Sequence, residues 1–159
     1  MKNSKIWKYG DDVNTDVIFA GKYTYTVTEE SEMAKYALED LDPEFAGNVK
    51  NGDIIIAGKN FGCGSSREQA VKCLKLSGVS FIIAKSFARI YYRNCINEGL
   101  PAISCPELVD NFNENENIEI NIKEGIIKTE NGKEYKFAAF PDSVLKIIEA
   151  GGLVNYLKA

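Results

Sequence analysis

Hydrophobic positions change their period along this chain, and each change marks an element. In the middle, Ile54-Ile55-Ile56-Ala57 and Val79-Ser80-Phe81-Ile82-Ile83-Ala84 are nearly continuous apolar runs. Runs of that kind suit strands covered on both faces of a sheet, where neither side meets water. Between them Ala70, Val71, Leu74 and Leu76 recur at helical spacing, starting near Ser66 or Arg67 and stopping at Gly78. Strand, helix and strand in succession predict a βαβ unit with parallel strands and a right-handed crossover.

Weaker signals flank that unit. Ile6 to Tyr9 reads as a short strand, followed by a polar loop from Gly10 to Asp16 and a brief apolar run, Val17 to Ala20. Residues 29 to 39 have helical composition, with Met33, Tyr36 and Ala37 on one face, until Asp42-Pro43 and Gly47 break it. Ser86 to Asn97 predicts a second helix closed by Gly99 and Pro101, and Ala102-Ile103 a further short strand. The polar stretch from Asn111 to Asn117 reads as a surface loop. Beyond it Ile118, Ile120 and Ile122 alternate with polar residues, Glu124-Gly125 turns, Ile126 to Thr129 returns and Asn131-Gly132 turns again, which is the pattern of an antiparallel meander. A helical tail from Ser143 to Leu157 is interrupted at Gly151-Gly152. The expected fold is one α/β domain over residues 1–159, a parallel βαβ core with an antiparallel extension.

Composition narrows the chemistry. The 159 residues are 45% hydrophobic and 26% charged, enough to bury a core, and a net charge of -4 argues against a general binder of nucleic acid or membrane surface. The first eight residues lack the apolar stretch of a signal peptide, and no window approaches the roughly 18 apolar residues of a membrane span, so a soluble cytoplasmic protein is expected. There is no histidine. That excludes Ser-His-Asp and Cys-His catalysis and histidine-ligated metal within this chain, leaving Ser, Cys, Tyr, Lys, Arg and carboxylates, or residues of a second chain. Cys63, Cys73, Cys95 and Cys105 are widely spaced and form no Cys-x-x-Cys pair, so the default is isolated, mostly buried thiols.

The best candidate for chemistry is the loop Phe61-Gly62-Cys63-Gly64-Ser65-Ser66-Arg67. Glycines and serines between a buried strand and a helix leave backbone N–H groups free to converge on an anion, beside the positive end of a helix dipole. Arg67 can grip a carboxylate with its fork, and a cation in a helix's first turn opposes the dipole unless an anion joins it. The loop is not a Walker A motif, because Cys63 stands at the second glycine, nor a dinucleotide fingerprint, because Arg67 replaces the third. A carboxylate cradle is therefore expected, against the plainer alternative of a glycine-rich turn with serine as helix cap. Ser86-Phe87-Ala88-Arg89-Ile90-Tyr91-Tyr92-Arg93-Asn94 repeats the arrangement, with Ser86 as helix cap and Arg89 and Arg93 on one helix face, where ion pairs with Glu98 or Glu68 are the plainer alternative. Gly10 to Asp16 lacks the distal Glu of a calcium loop and reads as an Asn/Asp-stabilised turn.

Taken with Asp12-Val13-Asn14-Thr15-Asp16-Val17-Ile18, these two segments resemble the small subunits of isopropylmalate dehydratase, a branch of the aconitase-type hydro-lyases. The resemblance runs along essentially the whole chain, and Gly-Ser-Ser-Arg is its most specific part. It implies the swivelling β/β/α domain and a reversible dehydration and rehydration of a hydroxy di- or tricarboxylate. It further implies a separate large subunit, which carries the [4Fe-4S] cluster, so no metal is expected on this chain. By similarity Ser65 is the catalytic base, with Gly64, Ser66 and Arg67 binding the substrate and Thr15, Asp16 and Arg89 in support. The family's loop after the first Asp-containing motif touches the variable substituent of the substrate, and relatives that take an extra carboxylate carry arginine there. Here the stretch is Tyr23-Thr24-Tyr25-Thr26, which favours an alkyl substituent and 2-isopropylmalate of leucine biosynthesis, although Lys22 stands close by. Homoaconitate, methylmalate or citraconate, and dimethylmalate dehydratases remain alternatives, as does a non-catalytic carboxylate-binding module.

Overall fold

The computed structural model describes residues 4–65, 67–113 and 116–158. Four strands, β1 (Ile6–Lys8), β2 (Ile54–Ala57), β3 (Phe81–Ala84) and β4 (Ala102–Ser104), form a sheet in the order β1-β2-β3-β4, every neighbouring pair parallel. All four side chains of β2 are buried, as its unbroken apolar run requires. Alternation sends Ile55 and Ala57 into one apolar cluster and Ile54 and Ile56 into the other. Each fully buried isoleucine is worth about 1.5–3 kcal/mol relative to exposure. The entry to β2 is fastened by Asp53, whose buried carboxyl accepts from the Lys5 N–H at 3.0 Å, the Lys50 N–H at 2.9 Å and the Trp7 indole N–H at 3.1 Å.

Eight helices connect and cover these strands among the described residues: α1 (Thr15–Ile18), α2 (Glu30–Met33), α3 (Phe45–Asn48), α4 (Gln69–Leu76), α5 (Arg89–Asn97), α6 (Pro106–Asn111), α7 (Asp142–Glu149) and α8 (Leu153–Lys158). Residues of α1, α4 and α5 join the cluster on one face of the sheet. On the other face lie α6 and a meander of β5 (Ile118–Asn121), β6 (Ile126–Thr129) and β7 (Glu134–Lys136), with Ile118, Ile127 and Tyr135 pointing inward and α7 packed alongside. Glu124-Gly125 and Asn131-Gly132 make the two expected turns, and both glycines sit at positive φ, 72° and 85°.

Several elements differ from expectation. The helix over 29–39 shortens to α2 and a 3-10 turn, Ala34–Tyr36, because Leu38 adopts a φ of 55° and turns the chain back to pair with Ile18. In α4 the apolar face is Ala70, Val71, Cys73 and Leu74; Leu76 lies off that face and is exposed. The helix starts at Gln69, after Ser66 and Arg67 rather than at them. Thr15 and Asp16, expected in a loop, form the first turn of α1 under an Asn14 cap. The polar stretch from Asn111 begins inside α6, which opens with Pro106 at its first turn.

Candidate functional site

Beyond β1, β2 and β3 the chain does not turn away at once. Main-chain bonds continue between the three connecting segments: Thr15 N–H to the Cys63 carbonyl at 2.7 Å, Gly62 N–H to Val13 at 2.8 Å, Phe61 N–H to Ser86 at 3.0 Å and Ala88 N–H to Phe61 at 2.9 Å. The extended pairing of Phe61 with Phe87 delays α5 to Arg89. Ser86 therefore caps no helix, and its hydroxyl accepts from the Asn60 N–H at 2.8 Å. The acids of the first segment are used locally: Asp11 accepts from the Lys59 N–H at 2.7 Å, Asp12 from the Asn60 side chain at 3.2 Å and Asp16 from the Gly21 N–H at 2.6 Å, as an Asn/Asp-stabilised turn requires. The three motifs read from the sequence are thereby gathered at one end of the sheet.

Two glycines shape the cradle. Gly62 has φ +83°, and a Cβ there would stand 2.1 Å from the ring of Tyr91. Tyr91 is buried, and its hydroxyl donates to the Ala70 carbonyl at 2.8 Å, tying α5 to the start of α4 beneath the loop. Gly64, at φ +100°, stands over Thr15. Neither Tyr91 nor its contact with Gly62 was visible in the sequence, since a tyrosine on an apolar helix face carries no mark of what it touches.

Ser65 is exposed, and its hydroxyl bonds to no described residue; its carbonyl accepts from the Thr15 hydroxyl at 2.7 Å. Thr15, Gly64, Ser65 and Arg89 line one cavity of about 270 Å³, walled on its apolar side by Ala88, Ile90 and Tyr91. Ile90 is 55% exposed there. Arg89 and Arg93 are both exposed on α5, and neither forms an ion pair among the described residues, so the plainer alternative of pairing with Glu98 or Glu68 is not what the structure shows. Larger cavities beside β1 and along the meander contain none of the predicted residues. Ser66 lies outside the described residues.

Arg67 has a different setting from the one the sequence suggests. Its guanidinium turns back to the end of α1, donating to the Thr15 carbonyl at 3.1 Å and the Phe19 carbonyl at 2.7 Å, and to the Thr24 hydroxyl at 2.8 Å. Asp16 stands 3.9 Å away. A cation at terminal helix carbonyls is favourable, so no anion is needed to explain it. Glu68, not Arg67, occupies the N-cap position of α4. Arg67 still has its Nε–H and one Nη1–H without a described partner.

The four residues of the aromatic stretch divide. Tyr23 faces inward, its ring 4.3 Å from that of Tyr36, while Thr24 is held by Arg67 and Tyr25 is 90% exposed. Thr26 donates to the Lys22 carbonyl at 3.2 Å, and the Lys22 ammonium lies 5.1 Å from the Tyr23 ring centre. The Tyr23 phenol donates to Glu39 at 2.5 Å; that bond, aided by burial, pushes its pKa from the ordinary 10.0 up to about 12. Because the folded value is the higher one, the stabilisation is fully present below pH 10 and is lost as pH rises from 10 to 12. Ultraviolet titration should show Tyr23→Phe lacking one tyrosinate step near pH 12 that the unsubstituted chain displays.

Cys73, Cys95 and Cys105 are buried, and burial pushes each thiol above its usual range. Cys63, on the cradle loop, is half-buried. Among the described residues no group of three or more Cys, Asp or Glu side chains is placed to hold a metal ion, and no helix is long and apolar enough to cross a membrane.

Comparison with known proteins agrees with this organisation. The sequence profile of the aconitase C-terminal domain matches residues 11–108, which include all three motifs. The small subunit 1 of 3-isopropylmalate dehydratase from Thermotoga maritima is 49% identical, covering 99% of this chain and 95% of its own length. The small subunit from Caldicellulosiruptor saccharolyticus is 51% identical over 97% of this chain and 89% of its own. A crystal structure of 3-isopropylmalate dehydratase from Methanocaldococcus jannaschii superposes with a TM-score of 0.88 at 45% identity, covering 98% of this chain and 92% of that one.

Proposed function

The chain belongs to the 3-isopropylmalate dehydratase small subunits of the aconitase C-terminal domain family, and from that premise we propose that it supplies half of a hydro-lyase active site. The reaction is the interconversion of 2-isopropylmalate and 3-isopropylmalate by loss and return of water, in leucine biosynthesis in the cytoplasm. Residues 1–159 act as one swivel domain that closes on a large subunit. As in the aconitase-type hydro-lyases that the chain resembles, the [4Fe-4S] cluster would be held by that large subunit and would supply Lewis-acid chemistry toward the substrate hydroxyl.

One observation carries this reading: Ser65, whose hydroxyl bonds to no described residue, shares its cavity with Arg89, which forms no ion pair among the described residues. Ser65 Oγ takes the proton from the substrate carbon beside a carboxylate, the substrate hydroxyl leaves as water with a proton supplied by the large subunit, and both protons return in the reverse step. A seryl base is weak, so it needs electrostatic support in a closed site, where each well-placed donor is worth about 3–4 kcal/mol. Arg89 and the remaining N–H groups of Arg67 supply such donors, and by family resemblance Gly64 and Ser66 take part in binding the carboxylate. The absence of arginine from Tyr23-Thr24-Tyr25-Thr26 suits an alkyl group, because a carboxylate buried there would lack a partner.

The test is reconstitution with the large subunit. Turnover of 2-isopropylmalate is expected, with kcat/KM at least about 100-fold above that for homoaconitate, as an unmatched carboxylate predicts. Preference for homoaconitate would move the chain to another substrate, and failure to recover a large subunit or any turnover would leave a carboxylate-binding module.

A further inference from the structure

The loop that carries Ser65 leaves the sheet at Gly62 and reaches the first turn of α4 at Ala70, and a single buried side chain from α5 touches both ends of it. The Tyr91 ring lies under Gly62, where a Cβ would stand 2.1 Å from it, and the Tyr91 hydroxyl donates to the Ala70 carbonyl at 2.8 Å. Tyr91 is itself fixed. It is 2% exposed, and its ring meets that of Phe61 edge-on with centres 5.6 Å apart. Phe61 in turn packs edge-on against Phe87, 6.0 Å away and just ahead of α5. The two ends of the loop are not held alike. A main-chain bond registers the entry, Gly62 N–H to the Val13 carbonyl at 2.8 Å. Side chains hold the exit, Tyr91 from α5 and Arg67 and Gln69 toward residues 15 to 24. Tyr91 also walls the cavity that Ser65 and Arg89 share.

We propose that Tyr91 is a positioning residue for the base: braced between Gly62 and Ala70, it fixes the span of the loop and so the place at which Ser65 Oγ meets the substrate carbon. The proposal rests on the hydro-lyase reading above. The Ser65 hydroxyl bonds to no described residue, and its carbonyl is anchored by the Thr15 hydroxyl at 2.7 Å, so the aim of the side chain follows the shape of the loop. Proton transfer from carbon is sensitive to that aim, since a misplacement of about 1 Å can cost about 100-fold in rate. Binding of the substrate's carboxylates is spread over several donors and responds less. Loosening the brace should therefore slow the chemical step more than it weakens binding.

The experiment uses the complex with the large subunit. Tyr91→Phe keeps the ring under Gly62 and removes only the hydroxyl, and the Ala70 carbonyl still accepts from the Cys73 thiol at 3.7 Å, so the fold should survive. Its kcat for 2-isopropylmalate should fall about 10-fold while KM moves less than about 2-fold. A double-mutant cycle with Ser65→Ala separates aim from general support. If Tyr91 acts through Ser65, Tyr91→Phe should lower the residual rate of Ser65→Ala by less than about 2-fold. Gly132→Ala, in the meander with nothing within 4 Å of the added methyl group, is the stability control and should keep its kcat. Hydrogen exchange in the same complexes should quicken at the Ala70 and Val71 amides, which bond to the Arg67 and Glu68 carbonyls, in Tyr91→Phe but not in Gly132→Ala. An unchanged kcat, exchange no faster than in Gly132→Ala, or a further loss of about 10-fold on the Ser65→Ala background would overturn the role of Tyr91 while leaving the hydro-lyase reading intact. Loss of a cooperative melt in Tyr91→Phe would overturn it too, by making the hydroxyl a requirement of the fold. Absence of turnover by the unsubstituted complex would overturn both.

Discussion

Ser65→Ala in the reconstituted complex should lower kcat by about 10²–10⁴-fold, the range of a lost general base, and leave the fold of the subunit unchanged. The second half of that statement follows from the position of the side chain. Ser65 is exposed, and the one bond it makes to a described residue uses its backbone carbonyl, which alanine retains. An exposed substitution of this kind changes stability by no more than about 0.5 kcal/mol. Steady-state kinetics with 2-isopropylmalate, alongside thermal melting of the isolated subunit, separates the two effects. Near-normal turnover at unchanged stability would remove Ser65 from the role of base and direct attention to a group on the partner.

The largest effect on stability is expected at Gly62. Alanine there would place a methyl group 2.1 Å from the ring of Tyr91 at a backbone φ of +83°. The left-handed backbone costs about 1 kcal/mol for a residue with Cβ. Overpacking against a buried ring adds about 1–3 kcal/mol, because interiors have little slack. Tyr91 cannot swing aside without giving up its bond to the Ala70 carbonyl. Gly62→Ala should therefore destabilise the chain by about 2–4 kcal/mol by chemical denaturation. Gly132→Ala is the control, with φ +85° but nothing within 4 Å, so only the backbone cost of about 1 kcal/mol applies. Equal losses at the two positions would show that the contact with Tyr91 adds nothing.

Much of the fold could be read in advance because its strongest signals are local. Ile54 to Ala57 had to be covered on both faces, and the two clusters that β2 separates do that. The meander followed from Ile118 and Ile120 alternating with polar residues ahead of two glycine turns, and the tail breaks at Gly151-Gly152 between α7 and α8. The site was legible as a set of residues but not as a set of bonds. Ser86 looks like a helix cap, yet it serves Asn60 because the extended pairing of Phe61 with Phe87 takes up the backbone that a cap would use. Arg67 looks like the answer to an anion, yet three protein oxygens claim it, and those oxygens come from residues 15 to 24, far away in sequence. Periodicity reports neighbours along one element and is silent about which distant carbonyl a side chain will meet.

The main-chain rungs between residues 13–15, 61–63 and 86–88 have a consequence for how the protein matures. They pair stretches of chain about fifty and twenty-five residues apart, and closing loops of that length must precede any gain from the contacts they allow. Neither the hairpins nor the helices alone can assemble that corner. Formation of that corner is therefore expected late in folding, with the registration of β1 against β2 and β3, and hydrogen exchange during refolding should protect the amides of Thr15, Gly62 and Ala88 after those of the hairpins.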